Sequence, residues 1–570
     1  MTRLSNVSQI AAHSGRPARA MTLIAAVAIA TCFLPALPTN AQDDSQVPGQ
    51  VKEIDRLIQQ SWQDFNLKPS PTASDLKWCR RVFLDLIGRI PRYDELRAFA
   101  KDKGDDKRQR LVETLLYDDR YTEEYAQNWS TVWTNVLIGQ SGGNDRRDLT
   151  NRAGMQKYLR DTFATNKPYN EMVRELVSAT GSTKPGTENF NGAVNYLVGK
   201  VNEEKGTLAT SSVSRHFLGL QVQCTQCHNH PFNEWKQQKF WEFNSFFRQT
   251  RGLRNFVEGT RDISHAVLVD EDFGGEGGDA ENAMVFFELR NGLTKVAYPV
   301  FIDGTEVGKS GFVEDVNRRG KLADLMLESE YLDKMLVNRT WAHFLGYGFT
   351  KPIDDLGPHN PPSNPELLNY LAGQVRQSSY DVKQLMTWIT LSRPYQLSSD
   401  ITSGNDQDDP SLGVQPRFSH FYLRQMTAEQ LYQSMVAASG AQSTGSLEKQ
   451  EQDRRRWLQQ FVQAFGTDEG DEATTFNGSI PQALMMFNGE LTKKAVASGN
   501  GGFIESVGRS GRKPSDRLGR LFLTGLSRAP NRSEQSIAGK LLRARKGNEA
   551  EMLQDMWWAI LNSNEFILQH

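Results

Sequence analysis

The sequence predicts a mainly α protein: two helical domains, over residues 50–250 and 315–570, joined by a small β-rich insert at 263–312. Three observations carry that reading. Apolar residues recur at helical spacing through most of the chain. Around 263–302 they alternate or run together instead, with Asn291-Gly292 between two such runs, the signature of a tight hairpin. Finally, 570 residues with 38% hydrophobic content suffice for more than one core. The formal net charge is −2 with no long basic block, so neither a nucleic acid nor an anionic membrane surface is expected as a partner.

Residues 1–41 read as a secretory signal peptide. Arg3, Arg16 and Arg19 precede the apolar stretch Met21–Leu37, and Thr39-Asn40-Ala41 places small residues at a cleavage site. The expected location is therefore secreted or periplasmic. No later stretch is long and apolar enough for a transmembrane helix. Of the 4 cysteines, Cys32 leaves with the signal, and Cys79, Cys224 and Cys227 remain, too few for a disulfide scaffold.

Val51, Ile54, Leu57, Ile58, Trp62 and Phe65 predict the first helix of the mature chain. A second is expected from Asp75 as its cap through Cys79, Val82, Phe83 and Leu86, stopped by Gly88 and Pro91. Cys79 falls on its apolar face and reads as a small buried hydrophobe. Further helical patterns cover 107–116, the surroundings of Trp129 and Trp133, 155–163, 169–177 and 207–219. An aromatic cluster follows, of Trp235, Phe240, Trp241, Phe243, Phe246 and Phe247 among others, reading as core or as the wall of a cofactor pocket.

Within the insert, the acidic, Gly-rich DEDFGGEGGDAEN lacks the ligand spacing of a calcium loop and reads as a solvated connection. From Asp315 the pattern is helical again. Ser363 or Asn364 is a cap with Pro365 in the first turn, and Thr427 and Gln430 have capping-box spacing. The polar stretch 440–452 reads as a loop, and 551–561 as the final helix.

The segment QCTQCHNHPF concentrates the chemistry. Cys224, Cys227 and His228 stand in the order C-x-x-C-H. Two cysteines three apart can each form a thioether to one haem, and the adjacent histidine can ligate its iron, so haem c is the leading cofactor. An extracytoplasmic redox partner would then be implied. Three rivals use the same residues: a disulfide between Cys224 and Cys227, zinc or iron held by Cys224, Cys227, His228 and His230, or structural histidines that donate hydrogen bonds inside a packed helix terminus. Met155, Met172, His265, His343 and His359 are candidates for a second axial ligand by elimination only. A second polar constellation lies downstream, with Asn338, Arg339, Trp341 and His343 within two helical turns and Asp354, Asp355 and His359 in a Pro-rich loop. It reads as an acid/base or metal-binding site, or as a structural knot. No nucleophile elbow, P-loop, H-E-x-x-H or dinucleotide fingerprint occurs.

RRVFLDLIGRIP and HFLGLQVQCTQCHNHPF with its aromatic tail resemble the planctomycete-type secreted cytochrome-like domain. VNRTWAHFLGYGFTKPIDDLGPHNPPSNPELL, ITLSRPYQLSS, SIPQALMMFNG, LFLTGLSRAPNRSE and AILNSNEFILQH resemble its C-terminal companion. Both are domains of unknown function. The resemblance implies a cytochrome-like character through the C-x-x-C-H and no particular activity. Three functional expectations follow: an exported haem c protein with a redox or electron-transfer role, a haem-free extracytoplasmic binding or scaffold protein, and an enzyme using the 338–359 region.

Overall fold

The computed structural model describes residues 48–231, 235–441, 446–465, 480–497, 502–510 and 513–570. The signal peptide expected at 1–41 and Phe232 of the motif lie outside them. The described chain is mainly helical, as the periodicity predicts, with short strands only. Among the described residues no helix is long and apolar enough to cross a membrane.

The helix Gly49–Asp64 buries Val51, Ile54, Leu57, Ile58 and Trp62, the stripe its spacing prescribes. Phe65 is not part of it: it follows the last turn, is 49% exposed, and packs under the Arg417 guanidinium at 3.5 Å. The helix Asp75–Ile87 is capped by Ser74, whose hydroxyl accepts the Lys77 amide, rather than by Asp75. Asp75 instead takes ion pairs from Lys107 and Arg108. Gly88 ends the helix at φ +77, where a Cβ would also strike Asn128.

Every residue of that helix from Trp78 to Ile87 is buried, so it is a central strut and not an amphipathic surface helix. Its charged residues bind the rest of the chain. Arg80 donates to the carbonyls of Gly525 and Phe566 at 2.6 and 2.8 Å. Arg81 donates to those of Tyr395 and Leu397, and stacks 3.4 Å over Phe421. Asp85 accepts from Tyr395 Oη at 2.6 Å, Gln569 Nε2 at 2.8 Å and Arg424 Nη2 at 2.5 Å.

One apolar core joins helices on both sides of the insert, from Val51, Trp78, Trp129 and Phe217 to Leu322, Trp341, Trp388 and Tyr422. A second core is built from Met426–Ile567, and Leu84 and Ile90 project into it from the central strut. Asn364 and Thr427 cap their helices as expected, Thr427 in a reciprocal capping box with Gln430. The expected 440–452 loop is shorter, because a helix begins at Leu447 and runs to Phe465. Its first turns are polar because that helix covers the second core with Trp457 and Phe461 only later in its length.

The β-rich region contains two small sheets. β1 (Gly181–Ser182), β3 (Ile263–Asp270) and β2 (Thr250–Phe256) form an antiparallel sheet in the order β1-β3-β2. β2 precedes the predicted insert, and its four consecutive exposed residues hide the alternation that marks a half-buried strand. β4 (Val285–Glu288) and β5 (Thr294–Ala297) form the hairpin announced by Asn291-Gly292, over a small core with Phe273 and Ala283. In the acidic loop, Asp272 accepts the Val313 amide, while Glu276 accepts the Phe286 amide and pairs with Lys205 and Arg248.

Candidate functional site

The C-x-x-C-H segment follows the helix Thr207–Leu218, which ends at Gly219 in the left-handed region at φ +63. A Cβ there would lie 2.7 Å from Leu356 Cδ1 and 2.9 Å from Met335 Sδ. The same glycine's carbonyl accepts the Leu356 amide at 2.7 Å. The backbone approaching the motif is thus sewn to the 354–359 loop, more than a hundred residues downstream.

Gln223–Gln226 forms a single 3₁₀ turn, with Cys227 as the residue after it. Thr225 is fully buried, and its hydroxyl donates to the Val222 carbonyl at 2.6 Å. The Gln226 carbonyl accepts from Gln237 Nε2 and Trp241 Nε1, both at 3.1 Å. Asn229 Oδ1 accepts the first amide of the helix Gln237–Asn244 at 3.0 Å. Cys224 lies in the turn and Cys227 directly after it, three residues on. Both are exposed free thiols, whereas Cys79 is buried. Burial pushes the Cys79 thiol far above its usual range, which leaves it inert. Iodoacetamide should therefore label Cys224 and Cys227 in the folded haem-free chain and spare Cys79 until denaturation. Peptide mapping checks this, and native labelling of Cys79 would contradict its placement.

His228 Nδ1 donates to the Asn229 carbonyl at 2.6 Å. A carbonyl only accepts, so in the neutral ring the proton sits on Nδ1 and Nε2 keeps its lone pair, the second-shell arrangement that readies an imidazole for a metal. The donor set therefore fits haem c: two exposed thiols three residues apart and a histidine whose Nε2 has no partner among the described residues. His230 points elsewhere. Its ring lies 5.9 Å from that of His359, whose Nε2 donates to Asp355 Oδ2 at 2.9 Å. Burial and the neighbouring His359 lower the basicity of His230. Among the described residues, no group of three His, Cys, Asp or Glu gathers as a metal cage.

The downstream constellation divides. Asp354, Asp355 and His359 reach the motif region: Asp354 accepts Gln221 Nε2 at 2.6 Å and pairs with Arg215 at 3.3 Å. Asn338 is a turn clamp. Its side chain donates to Thr350 Oγ1 and the Ile353 carbonyl, both at 2.8 Å, and accepts the Phe349 amide at 2.6 Å. Replacing Asn338 with alanine orphans these buried groups and is expected to cost about 1–3 kcal/mol of stability in urea unfolding. Arg339 is buried, and that burial lowers its pKa to about 10. Trp341 is wholly buried and stacks on Phe349 at 4.8 Å. His343 packs on Trp129 at 4.8 Å and does not cap the helix end, where Gly346 does so. Burial, then Arg424, drives His343 down to about 3.

Of the other candidate axial ligands, Met155 and Met172 are core residues. His216 is buried, with Nδ1 3.2 Å from Tyr196 Oη. The aromatics after the motif are mostly core: Phe240, Phe243, Phe246 and Phe247 are buried, while Trp241 anchors the turn. Cys224 and His230 line a cleft of about 710 Å³. That cleft also takes in Lys200 and Arg215, which no motif or local spacing marks, because only tertiary packing brings them beside the cysteine.

Two family models match the chain. Residues 53–252 match PSCyt2, described as a protein of unknown function (DUF1549), and residues 318–475 match PSD1, likewise of unknown function (DUF1553). The C-x-x-C-H lies within the first matched region and the 338–359 constellation within the second. No curated protein and no solved structure matches it.

Proposed function

We propose that this is an exported protein in which Cys224, Cys227 and His228 attach a haem c with a redox or electron-transfer role. One observation supports it above the others: two exposed free thiols stand three residues apart at a 3₁₀ turn, next to a histidine whose Nδ1 is tied to a backbone carbonyl. When bound, such a group supplies one-electron chemistry. The chain's own part is to hold His228 in one tautomer through the Asn229 carbonyl and to fix the turn through Thr225 and the Gln226 carbonyl. The test is expression in the periplasm with a haem-maturation system, followed by peroxidase staining of a denaturing gel. Haem-dependent stain on the chain is the expected result, and a folded chain without it contradicts the proposal.

The same exposed pair of thiols also favours a second reading, a haem-free extracytoplasmic binding or scaffold protein with a Cys224–Cys227 disulfide. Zinc or iron on this segment would require His228 and His230, which now face different neighbours, to converge. Intact mass before and after reduction, with metal analysis, separates these outcomes.

A further inference from the structure

The cleft beside Cys224 has a charge imbalance. Arg147, Lys200, Arg215 and Arg254 line it, against Asp148 as the one carboxylate among its described lining residues. Asp148 is committed to its own loop, where Oδ2 accepts the Gly143 and Asp145 amides at 3.0 and 3.3 Å. Arg215 is committed to Asp354. Arg147, Lys200 and Arg254 remain without a carboxylate partner among the described residues; Arg147 and Arg254 are exposed and Lys200 lies deeper.

Lys200 is the inner cation. Its Nζ donates to the Leu137 and Tyr196 carbonyls at 3.1 and 2.6 Å and sits 4.5 Å from the Tyr196 ring centre. An ammonium has three donors, so one is left. Burial, and then Arg215, pull its pKa down to about 7, the condition of a cation lacking a counter-charge. The rest of the lining includes the Ser212 hydroxyl and the Gln223 amide, with Thr150 and Ser211 as acceptors, their hydroxyl protons being given to the carbonyls of Asn195 and Thr207. A recess of about 710 Å³ suits a small molecule.

We propose that this cleft binds a small hydroxylated organic anion, a sugar acid in class, with its carboxylate toward Lys200, Arg147 and Arg254 and its hydroxyls on the Ser/Thr/Gln wall. The binding does not depend on haem attachment. Cys224 is among the lining residues, so any such ligand lies next to the C-x-x-C-H turn.

The test is calorimetric titration of the mature chain with D-glucuronate and, as the uncharged match, D-glucose. Saturable binding of glucuronate with none of glucose is expected. Lys200→Met and Arg254→Gln should each weaken it roughly ten-fold or more, the loss of one charged hydrogen bond. Arg254 sits on the exposed strand β2, so its variant keeps the test valid if Lys200→Met fails to fold. Absence of saturable glucuronate binding, equal binding of glucose, or unchanged affinity in a folded variant would each overturn the proposal.

Discussion

Replacing Asp85 with alanine is expected to destabilise the protein by about 3–5 kcal/mol, the cost of removing one partner from a buried ion pair. Asp85 is fully buried, and it gathers Arg424, Tyr395 and Gln569 around one carboxylate. Without it the Arg424 charge stays buried beside Arg81, and two further donors lose their acceptor. The effect should reach well beyond the strut. Arg424 and Gln569 are register partners of the short sheet formed by β6 (Arg424–Gln425) and β7 (Leu568–Gln569), which closes the C-terminal end of the chain. Asp85→Asn should cost less, since it keeps an acceptor for Tyr395 while losing the charge. Urea unfolding followed by circular dichroism measures both. A loss near the ~0.5 kcal/mol of an ordinary surface substitution would contradict the role given to this residue.

The second large effect concerns the motif. In cells equipped for haem maturation, a Cys224→Ala, Cys227→Ala double variant is expected to lose the covalent haem stain entirely. His228→Ala should retain stain through the two thiols, with an altered visible spectrum. Asn229 contributes to His228 only through its backbone carbonyl, so Asn229→Ala should leave the spectrum unchanged while weakening the start of the Gln237–Asn244 helix. Full staining of the double-cysteine variant would contradict the assignment of these residues.

Much of this architecture is legible in the sequence. The Val51–Trp62 stripe, the Asn364 and Thr427 caps and the Asn291-Gly292 hairpin rest on local rules, and local rules are what a single sequence records. The errors have physical causes. Ser74 displaces Asp75 as cap because Asp75 is drawn to Lys107 and Arg108. β2 escapes because its outer residues are exposed, and the helix from Leu447 because its opening turns are polar. Periodicity tells which face of a helix is apolar but not which partner covers it. The common core of Val51–Phe217 and Leu322–Tyr422 is therefore invisible at that level.

The same limit governs the site. C-x-x-C-H is readable because its chemistry lies within five residues. The approach of Asp354, Asp355 and His359 depends on Gly219 meeting Leu356. The separation of His343 from them depends on Trp129. Arg80, Arg81 and Asp85, which read as part of a helix, turn out to tie together segments more than three hundred residues apart.

Tandem mass spectrometry of the proteolytic peptide containing Cys224–His228, taken from the mature chain made with haem maturation, tests the haem attachment itself. A peptide carrying haem through both Cys224 and Cys227 is the expected result. A peptide bearing a Cys224–Cys227 disulfide, or two free thiols, would contradict it.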